Sequence, residues 1–188
     1  KSQEMNFKRL LDAESECLSL TDVRTQLKIT GTDSDDDLRL FIAAMRHRTE
    51  TFLKRTLVTT TWVLKLDTFI DKIELPMSPI QSITSIEYVD GNGVTQTLAS
   101  SGYQFDSTGR LKPSYGNSWP TTRSQYDAVT ITYIAGETHA GNVEPDIKYG
   151  MQLWIGGCEI NRENVVVGTI IAKIPDNAKN ILYPHRNW

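Results

Sequence analysis

The sequence is poor in the residues from which catalytic and metal centres are built. It holds two cysteines and three histidines in 188 residues. Cys17 and Cys158 are far apart and fit no metal or redox spacing, so two reduced thiols in an intracellular protein are expected and a disulfide scaffold is excluded. His47, His139 and His185 belong to no HExxH and no His/Cys cluster. Nucleophile-elbow, P-loop and GxGxxG patterns are absent, and Gly91-Asn92-Gly93 reads as a turn rather than a phosphate cradle. Carboxylates are plentiful, but nothing in the sequence brings two into one site. The expectation is a chain that is no enzyme and holds no metal or cofactor.

Two further absences narrow the class. There is no signal-peptide pattern and no apolar run near 18 residues, so neither secretion by that route nor a membrane span is expected. The sequence starts at Lys1 rather than at a methionine, which leaves its natural start open. Charge of one sign is also lacking. Basic and acidic residues number 10 and 10 in residues 1–60, 5 and 7 in 61–135, and 5 and 6 in 136–188, for a net charge of −3. No segment has the basic footprint of a duplex-binding domain. The remaining composition, 39% hydrophobic and 23% charged, is that of an ordinary globular protein of one domain, or one domain with a large insertion.

What is present is organised around residues 35–55. Leu38, Phe41, Ile42, Met45, Thr49, Phe52 and Leu53 recur at helical spacing, with Arg39, Arg46, Arg48, Glu50, Lys54 and Arg55 assigned to the opposite, polar face. Ser34 or Asp33 can cap the first turn, Asp35–Asp37 oppose the positive end of the helix dipole, and Lys54 and Arg55 oppose the other. A helix of about twenty residues is roughly 30 Å long, enough to serve as a spine. The acidic start resembles a calcium loop only briefly: Leu38 stands where glycine is required and Ala44 where the bidentate glutamate is required, which favours capping.

Before this helix, residues 1–17 read as a flexible or weakly helical arm. A short helix follows, opened by Thr21 as N-cap, with Val23 and Leu27 inward and Gly31 ending it. After Thr56 the period changes to two. Residues 57–67 form a strand with Trp62, Leu64 and Leu66 on one face. Short strands are expected at 72–75, 80–89, 94–98, 103–105, 110–112 and 127–135, with a hairpin turn at Asp90–Gly93 and an aromatic loop at 113–123. A helix returns after Pro145, carrying Ile147, Met151, Trp154, Ile155 and Cys158 at helical spacing. Its Gly150, Gly156 and Gly157 allow close packing or a break. A last short helix is expected over 176–182. The fold class is therefore α+β: an α-helical bundle built from both termini (18–56 and 136–182), an inserted antiparallel β-sheet or sandwich module (57–135), and a C-terminal tail (183–188).

Three features bear on interaction. Arg46, Arg48, Lys54 and Arg55 with Trp119 and Tyr115 suit either a solvated helix face plus a loop or a single-stranded DNA binder. Residues 165–171 are rich in β-branched aliphatics, with Val165, Val166, Val167, Ile170 and Ile171; they read as a buried local strand or as an arm that pairs with another subunit. In the tail, Tyr183, Pro184, His185, Arg186 and Trp188 read as a frayed end or as a docking peptide whose aromatics and arginine are typical interface anchors.

The order of landmarks resembles the head–tail connector (adaptor) family of tailed phages, the group of the HK97-like connector and its relatives in siphophages and gene transfer agents. The residues carrying it are Leu18–Lys28, the acidic stretch and helix 33–55, Thr60-Thr61-Trp62, Ile73–Pro76 with Pro79–Val89, Asp90–Gly93, Tyr115–Pro120, Val129–Tyr133 with Ala135-Gly136, Pro145–Lys148, Asn161–Glu163 and Leu182–Arg186. They span nearly the whole chain. This chain departs from the pattern in its long arm 1–17 and in Asn187-Trp188 beyond the Pro-x-Arg. The resemblance implies a structural protein of the virion neck, made in the host cytoplasm. It would form a homo-oligomeric ring, a dodecamer, beneath the portal protein, bind a stopper or tail protein below, and let DNA pass through the lumen without sequence-specific binding or any membrane. It also implies that Tyr183–Trp188 reach the portal, and the sticky run 165–171 would then join neighbouring subunits. A stopper or tail-completion protein of the neck is the alternative within this class.

Overall fold

The computed structural model describes residues 6–160 and 177–187. Two compact units emerge, one from residues 1–14 and 58–138 and the other from 15–57 and 139–188.

The first unit is all β. Strands β1 (Asn6–Leu11), β2 (Thr60–Leu66), β8 (Val129–Ala135), β4 (Ile80–Val89) and β5 (Thr95–Thr97) form an antiparallel sheet in that order. Strands β3 (Ile73–Glu74), β7 (Arg110–Pro113) and β6 (Tyr103–Phe105) form a second. The alternation expected for β2 holds. Trp62, Leu64 and Leu66 enter one apolar core with Ile86, Val129, Ile131 and Tyr133, joined by Ile73 and Leu111 from the small sheet. Neither sheet therefore has to bury its apolar face alone. Tyr133 keeps its hydroxyl satisfied by donating to the Pro76 carbonyl at 2.9 Å, and burial pushes its pKa well above the usual tyrosine range. At Gly109 (φ +95°) a Cβ would lie 2.5 Å from the Leu75 carbonyl oxygen, so the β6–β7 turn demands glycine there.

Residues expected as a flexible arm supply β1. The strand places Phe7 and Arg9 on one side, two residues apart, and both meet Trp62: the Phe7 ring at 5.9 Å and the Arg9 guanidinium at 5.1 Å. That pairing depends on a strand more than fifty residues away, which no local pattern reveals.

The second unit holds helices α1 (Leu20–Leu27), α2 (Asp35–Leu53), α3 (Pro145–Ile160) and α4 (Asn177–Leu182). The expected helical bundle built from both termini does not form. The chain is mixed α/β, with two antiparallel sheets and four unequal helices among the described residues. Only α2 and α3 are long, and α1 and α4, of 8 and 6 residues, are too short to line up with them as bundle members. The apolar stripe of α2 (Leu38, Ile42, Met45, Leu53) is buried, as are Ile147, Met151 and Ile155 of α3.

The caps differ from expectation. The N-cap of α1 is Ser19, not Thr21: its hydroxyl accepts from the Asp22 N–H at 3.1 Å, while the Asp22 carboxylate accepts from the Ser19 N–H at 3.1 Å. Ser34 precedes α2 without a side-chain cap bond, and Asp35 instead pairs with Arg24. α2 stops at Leu53 because Lys54 turns left-handed (φ 53°) and gives its N–H to the Glu50 carbonyl.

The polar face assigned to α2 also needs correction. Arg46 and Glu50 are buried. Arg46 binds Glu16 through two bonds, Nε–Oε2 at 2.7 Å and Nη2–Oε1 at 3.1 Å, and reaches Glu50 Oε2 at 3.4 Å. Glu50 Oε1 accepts the Leu57 N–H at 2.9 Å. This ionic knot ties residue 16, two turns of α2 and the exit from α2 together. Burial of these charges is tolerable because each has partners.

Candidate interaction surfaces

The C-terminal tail folds back on its own unit. Ala178 and Leu182 of α4 are buried, and Leu182 fills the notch left by Gly150 of α3, where a Cβ would lie 2.8 Å from Leu182 Cγ. The glycine thus serves close packing, and α3 continues through it. Pro184 then fits the first turn of a 3-10 helix at Tyr183–His185. Asn187 donates its N–H to the Leu53 carbonyl at 2.9 Å and its Nδ2 to the Lys54 carbonyl at 3.3 Å. These carbonyls at the end of α2 need outside donors, which the tail supplies. The Arg186 guanidinium lies 5.6 Å from the Phe52 ring centre, and His185 Nε2 lies 3.7 Å from Asp146 Oδ2. Close by in sequence, Arg55 binds Glu144 at 2.8 Å. Burial is the largest single influence and raises the Glu144 carboxyl, but the Arg55 hydrogen bond and charge, its own backbone N–H and the His185 charge together hold the group below the usual range.

Of the residues expected to dock, Tyr183 and Pro184 are exposed, while His185 and Arg186 are half-buried against their own unit. Trp188 and the expected subunit-contact residues Val165, Val166, Val167, Ile170 and Ile171 lie outside the described residues.

A second surface lies where α2, α3 and α4 meet. His47, Arg48, Thr51 and Phe52, with Trp154 and Lys179, line a groove of about 410 Å³. Its floor is aromatic: Phe52 meets Trp154 edge-on at 6.1 Å and 87°. Arg48 lies over the Trp154 ring at 4.3 Å, a distance at which cation–π attraction is significant. The groove is missed in sequence because Trp154 and Lys179 are far from Arg48 along the chain. The set of cations and aromatics weighed for single-stranded DNA is not what assembles. Arg46 is buried, Arg55 is bound to Glu144, and Trp119 stacks flat on Phe69 at 4.7 Å in the other unit. Tyr115 is fully exposed.

In the β unit, Asp67, Thr68, Arg123 and Tyr126 border an open hollow of about 550 Å³. No group of three or more His, Cys, Asp or Glu capable of holding a metal occurs among the described residues. Cys17 is buried with its Sγ 3.5 Å from Met151 Sδ. Burial, with the neighbouring Glu16 charge, pushes its thiol up to about 12, far from a reactive thiolate.

No protein-family model and no curated protein sequence matches the chain. Solved structures do. A chain of "Neck of empty GTA particle computed with C6 symmetry" matches with a TM-score of 0.77 at 19% identity, over 97% of this chain and 96% of that one. The fold is shared. A chain of "Virion of native gene transfer agent (GTA) particle" matches with a TM-score of 0.75 at 18% identity over 97% and 95%, and one of "Neck of native GTA particle computed with C12 symmetry" with 0.70 at 20% over 97% and 96%. In all three the likeness extends over 97% of this chain.

Proposed function

We propose that this chain is a structural protein of a virion neck: a head–tail connector that assembles as a homo-oligomeric ring beneath the portal, links the capsid vertex to the tail or the next neck protein, and lets DNA pass. The observation that carries this is the whole-length fold match to gene transfer agent neck chains, covering 97% of this chain and 96% of its counterpart at a TM-score of 0.77. The C6 and C12 symmetry of those necks supports a ring. The order of sequence landmarks supports the adaptor position, of the HK97-like kind. The near-balanced charge suits a lumen through which DNA must slide without being held. The role is assembly rather than catalysis, and its site is the virion neck.

Within this reading, Tyr183–Arg186 and Trp188 face the portal, and residues 165–171 join neighbouring subunits. Tyr183 and Pro184 make the first contact, since both are exposed. The test is mass photometry of the chain mixed with the portal ring of the same particle. The chain is compared with Tyr183→Ala, which leaves the Asn187 bonds in place, and with a truncation after Leu182. Many copies of the full chain per portal, and few or none of the variants, is the expected result. Binding by all three moves the anchor elsewhere, and binding by none overturns the connector assignment.

A further inference from the structure

We infer that the exposed side of α2 is a head-to-tail contact between copies of this chain, in which the acidic first turns of one copy enter the basic aromatic groove of the next. The inference rests on the ring reading above. A heterologous ring contact requires two different and complementary patches on one subunit. α2 carries both. Its exposed residues include Asp36, Asp37 and Leu40 near the start and His47, Arg48 and Thr51 towards the end. The sign of charge reverses between the two ends.

The acidic end comprises Asp33, Asp35, Asp36 and Asp37, with Arg24 bound to Asp35 and Arg39 bound to Asp36 at 2.8 Å. Four carboxylates thus stand against two arginines at this end, and the Asp36 side chain is 99% exposed. Leu40, 66% exposed, follows one turn later on the same side. The result is an apolar knob beside carboxylates. The groove is its converse. Phe52 and Trp154 form an apolar floor, with Arg48, Lys179 and His47 around it, and among the described residues that line it there is no carboxylate. A single exposed leucine is ordinary on a protein surface. A leucine beside carboxylates, on the same helix as an aromatic floor flanked by Arg48 and Lys179, is a matched pair. The two halves cannot meet within one chain, because Leu40 and Thr51 are eleven residues apart on one rigid helix, about 16 Å. Only another copy can close the contact. Charge complementarity also fixes its direction, since like ends repel.

The test is site-directed cross-linking of the full chain. Leu40→Cys and Thr51→Cys are combined with Cys158→Ser, leaving buried Cys17 in place. Mild oxidation is followed by a non-reducing gel. An intrachain disulfide is impossible, since bridged cysteines need Cα atoms within about 7 Å. The expected result is a ladder of dimer, trimer and higher species, at most dimers from either single-thiol variant, loss of the ladder on adding Arg48→Glu, and its return on further adding Asp36→Arg. Covalent dimers alone would mean a twofold pairing of α2 and would overturn the head-to-tail contact. A ladder indifferent to Arg48→Glu overturns the charge match. Glutaraldehyde treatment of the unaltered chain runs in parallel. A ladder with that reagent but none through the thiols rejects this contact and leaves the ring reading standing, whereas monomer in both rejects the two together. Retention of a short single-stranded oligonucleotide that is lost in Arg48→Glu, with no thiol ladder, gives the groove to nucleic acid instead.

Discussion

Arg46→Met is the perturbation that most directly tests how the helical unit is held together. Arg46 has 1% of its side chain exposed and makes two bonds to Glu16 and a longer one to Glu50. Methionine retains much of the volume, so the cavity contribution is small. What remains is charge. Glu16 is 29% exposed and can turn towards water, but Glu50, 1% exposed, keeps its negative charge buried and loses the Arg46 counter-ion. Removing one member of a buried pair costs about 3–5 kcal/mol, and that range is expected here. The double change Arg46→Met with Glu50→Gln removes both charges, and the Gln oxygen still accepts the Leu57 N–H. It is expected to cost about 1–2 kcal/mol less than Arg46→Met alone, the coupling expected of two residues in one ionic network. The four helices of the described residues lie in one unit, so urea unfolding followed by helical far-UV ellipticity reads that unit. A loss below about 1 kcal/mol for Arg46→Met, or a double variant as costly as the sum of its parts, would refute the reasoning.

Gly150→Ala is expected to destabilise by about 1–3 kcal/mol, through the clash with Leu182, and to be partly rescued by Leu182→Val, as read by thermal unfolding. Gly157→Ala, where a Cβ meets nothing within 4 Å, is expected to stabilise by about 0.5–1 kcal/mol in the same assay. Ser19→Ala removes the α1 cap and should cost about 1 kcal/mol at neutral pH. The Ser19 hydroxyl and N–H bonds hold the Asp22 pKa below its ordinary value. The stability they confer is therefore present above the ordinary carboxylate pKa and lost as pH falls through the lowered one, so the Ser19→Ala penalty should shrink in an acid denaturation series as pH falls below the ordinary carboxylate range. A thiol reagent at pH 8 should modify one cysteine, Cys158, in the folded chain and reach Cys17 only after unfolding, as peptide mapping would show.

Local signals made much of the fold legible. β4 and β6 fall on the residues expected as strands from their apolar content and flanking turns, α2 begins at Asp35 with its acidic first turn, and Pro145 opens α3. The α1 cap is legible too: Ser19-x-x-Asp22 is a capping-box pattern, and it outranks a lone Thr21. The illegible elements are those whose partner is distant. β1 has no alternation of its own worth the name, and only β2 makes it a strand. The groove exists only once α3 and α4 bring Trp154 and Lys179 to α2. The tail reads as free because the acceptors that hold it, the carbonyls of Leu53 and Lys54, are backbone atoms that no residue type announces.

Arg46 and Arg48 show where composition fails and phase succeeds. Both are arginines in the same short run, and placing both on one polar face treats them alike. Two residues along an α-helix is a turn of about 200°, so they cannot share a face. Arg46 follows Met45 and sits one turn after Ile42, at the margin of the apolar stripe. Glu50 stands one further turn along as an i,i+4 partner, so the pair was available in the sequence, and Glu16 completes it. Arg48 points the other way, gives its guanidinium to the Trp154 face, and leaves its charge at a groove that water still reaches. One helix thus spends one arginine on cohesion within its unit and presents the other at the surface. An Arg46 variant should change stability first, and an Arg48 variant should change assembly first, with the fold intact. If instead Arg48→Glu unfolds the chain as readily as Arg46→Met, the distinction between the two faces of α2 is wrong, and the head-to-tail contact loses its foundation.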